Sequence, residues 1–308
     1  MRIASIDIGT NTILMLIADI EQNAGQHRLI VVKDELVIAR MGKGVDHHRR
    51  ILPETFERVR DFLLRYKQIA QECSSDSLIA CGTSALRDAA NREEFVAYVL
   101  KETGIVIRVL SGDDEARLTF HGAISEYPSG YGSYGVVDIG GGSTEIIVGS
   151  HKDIRSHVSL DIGSVRLTER FLKSSPPTAS QVDETLAYIR ATFAGGQIVP
   201  SQEMRLIGVA GTVTTLAAIH QQLPSYDRDK INGYALSLGI IESIYERLRP
   251  LAVDQILALP QISPGRADII LAGIMILKEF MRHIDDDTII VSDRGLRFGL
   301  ALETLRSD

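Results

Sequence analysis

The feature that most constrains the fold of this chain is a short pattern that occurs twice. Asp7-Ile-Gly-Thr-Asn-Thr12 and Asp138-Ile-Gly-Gly-Gly-Ser-Thr144 each follow a short apolar run and precede another. A shorter version, Asp161-Ile-Gly-Ser164, follows the third apolar run of the second half. Two extended copies at equivalent points indicate an internal duplication, and they predict two α/β domains that face each other.

The spacing of apolar residues predicts alternating strands and helices in each half. In the first half it predicts strands at 2–6, 13–20 and 28–38, and helices at 53–72 and 84–103. The pattern restarts after a turn-rich stretch at 127–134. A length of 308 residues suits about two domains. We therefore predict domains over 1–126 and 127–308, with the last helix, about 297–308, able to pack back on the first.

The amino-acid composition limits which partners and which cellular compartment we expect for this chain. The chain has 40 acidic and 33 basic residues and a formal net charge of −7, which argues against nucleic acid or anionic membrane as a partner. Two cysteines cannot form a disulfide framework. The sequence begins directly with a predicted strand and contains no apolar run of about 18 residues. We therefore expect a cytoplasmic protein with neither a signal peptide nor a membrane span.

The two repeated turns have the chemistry of a phosphate site. Glycine lets backbone amides approach an anion, and successive amides in a tight turn form a concave anion nest. The candidate phosphate-binding residues of the turns are Gly9, Thr10, Asn11, Thr12, Gly140, Gly141, Gly142 and Ser143. Because Asp7 and Asp138 head the turns and would repel a phosphate, a hard cation is expected between them. We expect Mg²⁺ or another divalent cation, with Glu145 as a further ligand, directly or through water. The alternative is a pair of hairpins that merely require glycine.

Two further segments of the first half place charge at predicted helix starts. Gly82-Thr-Ser-Ala-Leu-Arg87 follows a strand, and an arginine in a first helical turn is unfavourable unless an anion binds there. Ser111-Gly-Asp-Asp-Glu115 opens the next helix. Glu115 is either a helix-start acid or a carboxylate that orients and deprotonates water.

The second half offers two comparable segments. Gly163-Ser-Val-Arg166 leads into a helix and carries an arginine, and Gly208-Val-Ala-Gly211-Thr212 repeats a strand–Gly–Thr–helix pattern. Arg166, Gly211 and Thr212 are either anion contacts or parts of ordinary helix starts. Both alternatives stay open on the residues alone.

Taken together, these motifs resemble the exopolyphosphatase/guanosine pentaphosphate phosphohydrolase (Ppx/GppA) family over almost the whole chain. The Asp138-Ile-Gly-Gly-Gly-Ser-Thr-Glu145 motif carries the most specific part of the resemblance. The resemblance implies an α/β fold of two ribonuclease-H-like domains, as in actin-like ATPases and sugar kinases, facing across a cleft. It also implies a phosphoanhydride hydrolase that releases terminal orthophosphate from inorganic polyphosphate.

The resemblance also assigns roles to residues of this chain. It implies that Glu115 is the general base and that Asp138 and Glu145 serve the metal and the catalytic water. It also implies that Asp7 heads the opposing phosphate loop and that Arg87 contacts a phosphate. Thr10 and Thr12 stand where serine is common in the family, and each keeps a hydroxyl. Longer relatives carry further C-terminal helical domains, whereas this chain ends at Asp308. We therefore expect a preference for short polyphosphate.

The same residues are also consistent with other functions. Guanosine pentaphosphate is the alternative substrate within the family. A nucleotide-binding sensor and a sugar kinase are alternatives on the same fold, although a pure sensor would need no base such as Glu115. A homodimer is a further expectation.

Overall fold

The chain divides into two compact units. The structure is a computed structural model, and it describes residues 1–23, 26–128, 132–196 and 204–306. Unit 1 comprises Met1–Ser125 together with Arg294–Asp308, and unit 2 comprises Glu126–Asp293. The sequence predicts that residues 127–308 form the second domain and that the last helix can pack back on the first. In the structure the end of the chain belongs to unit 1.

Unit 1 is built on a five-stranded mixed sheet in the order β3-β2-β1-β4-β5. Strands β1, β2 and β3 are antiparallel neighbours, whereas β4 pairs with β1 in parallel and β5 pairs with β4 in parallel. The strands are β1 (Arg2–Ile8), β2 (Thr12–Asn23), β3 (Gln26–Ile38), β4 (Ser77–Gly82) and β5 (Ile107–Val109). The three strands predicted at the start of the chain are confirmed, and each is longer than predicted.

Five helices accompany this sheet: α1 (Val45–His48), α2 (Pro53–Glu72), α3 (Ser84–Asp88), α4 (Arg92–Thr103) and α5 (Gly112–Ala123). Helix α2 has the predicted bounds, with Pro53 in its first turn, where the missing amide hydrogen costs nothing. Its buried residues recur at three- or four-residue spacing, from Thr55 to Ala70, and pack on the sheet.

The helix predicted over 84–103 is wrong, because the structure has two helices there. Ala89 takes an extended conformation and ends α3. The Asn91 amide then pairs with the backbone of Ile51, with its Oδ1 accepting from the Ile51 N–H at 2.9 Å and its Nδ2 donating to the carbonyl at 3.0 Å. This pairing holds the chain in the break. Because α3 has only five residues, Arg87 lies in its last turn as well as in the predicted first turn, so the helix dipole alone does not disfavour a cation there.

Unit 2 repeats the same sheet with one added strand. Its order is β10-β11-β9-β6-β7-β8. The strands are β6 (Ser133–Ile139), β7 (Thr144–Gly149), β8 (Ile154–Leu160), β9 (Met204–Val209), β10 (Ala235–Ser237) and β11 (Thr288–Val291). Strands β8-β7-β6-β9-β11 match β3-β2-β1-β4-β5 in order and direction. The predicted class of two ribonuclease-H-like α/β units is thereby confirmed.

The helices of unit 2 are α6 (Ser164–Arg170), α7 (Ala179–Gly195), α8 (Ala210–His220), α9 (Arg228–Ile231), α10 (Leu238–Leu248), α11 (Val253–Leu257) and α12 (Ile270–His283). Helix α12 is buried from Ile270 to Met281 and lies at the centre of the core. Gly273 of α12 lets it approach α8, because a Cβ there would lie 2.3 Å from Thr212 Oγ1. Among the described residues, none of the helices combines the length and apolar character that crossing a bilayer requires.

Helix α13 (Leu296–Glu303) joins unit 1 through very close backbone packing. A Cβ on Gly299 would lie 1.8 Å from the Leu118 carbonyl oxygen of α5, and a Cβ on Gly122 would lie 2.2 Å from the Gly295 carbonyl oxygen. Phe298 is fully buried against β2 and β3. Glycine at the α5–α13 contact is therefore what allows the end of the chain to complete unit 1.

This contact predicts the effect of Gly299→Ala. The added methyl group meets backbone atoms, which cannot rotate away, so the free energy of unfolding should fall by about 2 kcal/mol or more. Gly239→Ala in α10 is the matched control, because its nearest neighbour lies 4.0 Å from the new Cβ and alanine gains up to about 1 kcal/mol over glycine in a helix. Chemical denaturation followed by circular dichroism measures both. Equal stability of the two variants would contradict the close contact.

Candidate active site

The first glycine turn of unit 1 joins β1 to β2 and is closed by a backbone hydrogen bond. The Gly9 N–H donates to the Thr12 carbonyl at 2.9 Å. Thr10 and Asn11 are buried, and Thr10 Oγ1 lies 2.8 Å from Ser84 Oγ of α3. The turn is therefore fixed to the start of α3, so the structure brings together the predicted Asp7–Thr12 segment and the segment that carries Arg87.

Arg87 and Glu115 form an ion pair inside unit 1. Arg87 Nη1 donates to Glu115 Oε2 at 2.7 Å and also to the Leu110 carbonyl at 3.2 Å. Glu115 is 7% exposed, although it lies in the first turn of α5. A helix-start acid that only complements the helix dipole would be expected to face solvent. Its burial against an arginine distinguishes Glu115 from its neighbours Asp113 and Asp114.

The surroundings of Glu115 raise its pKa. Burial raises the pKa of the carboxyl, and the Arg87 guanidinium lowers it, with burial the larger effect. Burial raises the pKa of the Cys81 thiol well above its ordinary value, and the charges of Asp7 and Glu115 raise it further. Cys81 is therefore a buried, inert thiol. A carboxylate with a raised pKa is a stronger proton acceptor once it is ionised.

The second glycine turn, in unit 2, is closed in the same way as the first. The Gly140 N–H donates to the Ser143 carbonyl at 3.0 Å, as Gly9 does to Thr12. Asp138 on β6 lies directly opposite Glu145 on β7 in the antiparallel register. At the equivalent place in unit 1, Asp7 faces Leu14. Only the second turn thus carries two opposed carboxylates.

Two carboxylates at opposed positions of a strand pair point to the same face, and their mutual repulsion is relieved by a cation between them. Glu145 is 1% exposed, and Ser159 of β8 donates its hydroxyl to Glu145 Oε1 at 2.7 Å. Oxygen ligands of this kind suit a divalent cation, so the pair fits the predicted metal. Within the described residues, no group of three His, Cys, Asp or Glu side chains has the arrangement of a metal site. Asp7, the third predicted ligand, lies in unit 1.

The three glycine carbonyl groups of the second turn each receive hydrogen bonds from the start of α6. The Ser164 N–H donates to Gly140 O at 2.9 Å, and the Val165 and Arg166 N–H groups donate to Gly141 O at 2.9 and 3.1 Å. Arg166 Nε donates to Gly142 O at 2.6 Å. In a planar trans peptide the C=O and the following N–H point in opposite directions. The N–H groups of residues 141, 142 and 143 therefore point away from α6.

The Gly163–Arg166 segment packs against the second glycine turn. The α6 amides and the Arg166 side chain are engaged with the glycine turn. Gly163 is required for this approach, because a Cβ there would lie 2.4 Å from the Gly141 carbonyl oxygen. Arg166 is 5% exposed and lies 3.7 Å from Asp161. Arg166 therefore lies behind the turn, on the side of α6, where its hydrogen bond to Gly142 O fixes the orientation of that peptide group.

Gly211 and Thr212 lie in the first turn of α8, directly after β9. They are next to the second turn, because Val209 at the end of β9 pairs with Asp138 across the parallel β6–β9 ladder. Gly211 is covered by the Arg266 guanidinium: a Cβ at this position would lie 1.3 Å from Arg266 Nη1. Burial lowers the pKa of Arg266. Within the described part of the chain, no carboxylate pairs with it.

Arg266 and Ser159 lie beside the candidate site residues, and the sequence did not single them out. Arg266 occurs in a Pro-Gly-Arg turn, and several other Arg–Gly turns occur in the chain. Nothing in the local sequence distinguishes Arg266, because its contact with Gly211 joins positions far apart in the chain. The local sequence does not distinguish Ser159 either, because only the β7–β8 register places it beside Glu145.

Comparison with known proteins gives a consistent result. Residues 16–308 match the model of the Ppx/GppA phosphatase family. The protein called Exopolyphosphatase 2 of Mycobacterium tuberculosis is 36% identical over 312 residues, which cover 98% of each chain. Two solved structures are similar over the full chain. The Aquifex aeolicus member of the Ppx/GppA family has a TM-score of 0.83 and 33% identity, covering 100% of this chain and 99% of that one. An exopolyphosphatase from Cytophaga hutchinsonii has a TM-score of 0.89 and 29% identity, covering 100% and 98%.

The family match covers all of the motifs described above except the first turn, and the relatives align over nearly their whole length. The resemblance noted in the sequence is therefore confirmed, and this chain belongs to the Ppx/GppA phosphatase family.

Proposed function

We propose that this protein is an exopolyphosphatase, which hydrolyses the terminal phosphoanhydride bond of inorganic polyphosphate. The observation that carries the proposal is the second glycine turn, where α6 engages all three glycine carbonyls beside the opposed Asp138 and Glu145. This arrangement offers successive N–H groups to phosphate oxygens. The name of the M. tuberculosis relative supports polyphosphate as the substrate.

Glu115 is proposed as the general base. It accepts a proton from a water molecule whose oxygen forms the new bond to the terminal phosphorus. The bond from that phosphorus to the bridging oxygen breaks, and its electron pair leaves with the shortened chain. Arg87 keeps the Glu115 carboxylate in one orientation through the 2.7 Å hydrogen bond. Burial keeps the pKa of Glu115 raised, which makes it a better acceptor.

A phosphate-binding segment is proposed in each unit, built from backbone and side-chain donors. In unit 1 these belong to residues 9–12. In unit 2 they belong to residues 140–143, with Thr212 and the Arg266 guanidinium beside them. Arg266 suits an anionic ligand because its charge is partly desolvated and has no carboxylate partner among the described residues.

Asp138 and Glu145 are proposed to hold Mg²⁺ or a similar divalent cation. When bound, the cation neutralises charge that develops on phosphate oxygens. Short chains are the proposed preference, because a long polyanion requires an extended basic surface and the chain has a net charge of −7. Guanosine pentaphosphate is the second candidate substrate, and it too ends in a phosphoanhydride.

The proposal predicts that the protein with Mg²⁺ releases orthophosphate from polyphosphate, and that Glu115→Gln loses about 10²–10⁴-fold in kcat. The amide keeps the shape of the side chain and cannot accept the proton. Glu93→Gln, at an exposed position in the first turn of α4, is the matched control and should leave kcat unchanged. Orthophosphate release is measured for polyphosphate and guanosine pentaphosphate in parallel. Release from guanosine pentaphosphate alone would replace the proposed substrate, and a fully active Glu115→Gln variant would exclude Glu115 as the base.

The ion pair predicts a pH effect with a definite sign. Because Arg87 lowers the pKa of Glu115, its removal should raise that pKa further. At low pH kcat/KM should fall, and the midpoint of this acid limb should lie above the ordinary glutamate pKa of about 4.3. Arg87→Met should move that midpoint to higher pH. Arg65→Met, at an exposed position of α2, is the control and should leave the limb in place. If the midpoint of the acid limb is unchanged or lies at lower pH in Arg87→Met, the ionisation of Glu115 does not determine that limb.

The carboxylate pair predicts how the metal affects stability. Mg²⁺ should raise the melting temperature of the wild-type protein, because a ligand that binds the folded state stabilises it. Asp138→Asn should reduce this increase and should not lower the melting temperature in chelator, since the substitution relieves repulsion with Glu145. Asp183→Asn on the exposed side of α7 is the control. Equal Mg²⁺ responses in all three proteins would contradict a cation at this pair.

A further inference from the structure

A strongly basic segment, residues 40–50, lies beside the first glycine turn of unit 1. Its sequence is Arg40-Met-Gly-Lys-Gly-Val-Asp-His-His-Arg-Arg50, with Asp46 as the one acidic residue. The side chains of Lys43, Arg49 and Arg50 are exposed, as are those of the two histidines. In a chain with a net charge of −7, this concentration of positive charge is a local exception.

One end of the basic segment is bonded to the first turn. The Arg40 N–H donates to Asn11 O, and the Gly42 N–H donates to Thr10 O, both at 2.8 Å. Gly42 is needed for this approach, because a Cβ there would lie 2.2 Å from Thr10 Cγ2. The segment therefore lies directly against residues proposed to bind phosphate.

The other end is bonded to the chain that follows Arg87. The Ala90 N–H donates to Arg49 O at 2.7 Å, in the break between α3 and α4. The pairing of Asn91 with Ile51 adds a second connection one residue further on. The basic segment is thus attached to the first turn and to the residues that directly follow α3.

Two arginines of the segment take an unfavourable backbone conformation. Arg40 has φ 47° and Arg49 has φ 54°, in the left-handed region that glycine or asparagine adopts at lower cost. Strain of this kind tends to occur at binding and active sites, where the side chain is needed despite its cost. Folding alone gives no reason for arginine at Arg49, because this residue is exposed.

Within the described residues, the ion pair of Arg50 is a weak one. Glu94 Oε2 lies 3.5 Å from Arg50 Nη2, and both side chains are more than half exposed, so solvent screens the pair. A polyanion that contacts several cations at once releases several counterions and competes effectively with such a pair.

We propose that the basic segment binds the phosphates of a polyphosphate chain beyond those held at the first turn. The inference rests on the proposed function, and it names the surface that responds to chain length. It implies that affinity rises as the chain grows to cover residues 40–50 and then levels off. A second copy of the protein is not required for this effect.

The test is a triple variant, Lys43→Ala, Arg49→Asn and Arg50→Ala. Asparagine at position 49 accepts the left-handed backbone, so the fold is preserved. The matched control is Lys152→Ala with Arg247→Ala and Arg249→Ala, which also removes three exposed cations, all of them in unit 2. Steady-state kinetics are measured on tripolyphosphate and on size-fractionated polyphosphates, together with equilibrium binding of the longest fraction at several salt concentrations.

We expect the loss of kcat/KM in the triple variant to grow with chain length and to reach about tenfold on long chains. Its binding should also depend less steeply on salt. The same loss at every length, or no difference from the control, would overturn the inference and leave the hydrolase proposal standing. If the wild-type protein releases no orthophosphate from any fraction, the proposed function fails instead. Binding of the long fraction then decides the inference separately, and equal affinity of wild type and triple variant would overturn it.

Discussion

Both sheets depend on one small backbone constraint, the glycine turn that closes the first hairpin of each unit. In each turn the first glycine N–H bonds the carbonyl three residues later, at 2.9 Å in unit 1 and 3.0 Å in unit 2. This bond reverses the chain within four residues and leaves β1 paired with β2, and β6 paired with β7, in full register. The adjacent parallel strands then bring the next loops, at Ser84 and at Gly211, to the same edge of each sheet.

The two turns are closed by the same kind of backbone hydrogen bond, but the residues around them differ. The turn of unit 1 is fixed by a hydroxyl contact between Thr10 and Ser84 and has one carboxylate, Asp7. The turn of unit 2 is fixed through its carbonyls by the start of α6 and has two opposed carboxylates. Duplication of a fold therefore did not duplicate the site. The buried ion pair of Arg87 and Glu115 belongs to unit 1, and the opposed carboxylates Asp138 and Glu145 belong to unit 2.

Burial accounts for the special character of the candidate base. Asp113, Asp114 and Glu115 are consecutive acids in the first turn of α5, and only Glu115 is buried. Its pKa is raised because desolvation outweighs the attraction of Arg87. The cost of burying this carboxylate is offset in part by the Arg87 hydrogen bond. A merely structural acid at this position would gain more from facing water.

The sequence by itself determined the duplication, the α/β class, the family and the residues of both turns, because these depend on local patterns and on glycine at fixed positions. It also singled out Glu115 and Arg87, although not as a pair. Tertiary structure alone decided that Arg87 lies in a last turn, that α13 completes unit 1, and that Arg166 lies behind the second turn. It also revealed Arg266 and Ser159. Each of these follows from contacts between residues far apart in the chain, where close packing of backbones or strand register sets the neighbour, and such contacts leave no periodic trace in the sequence.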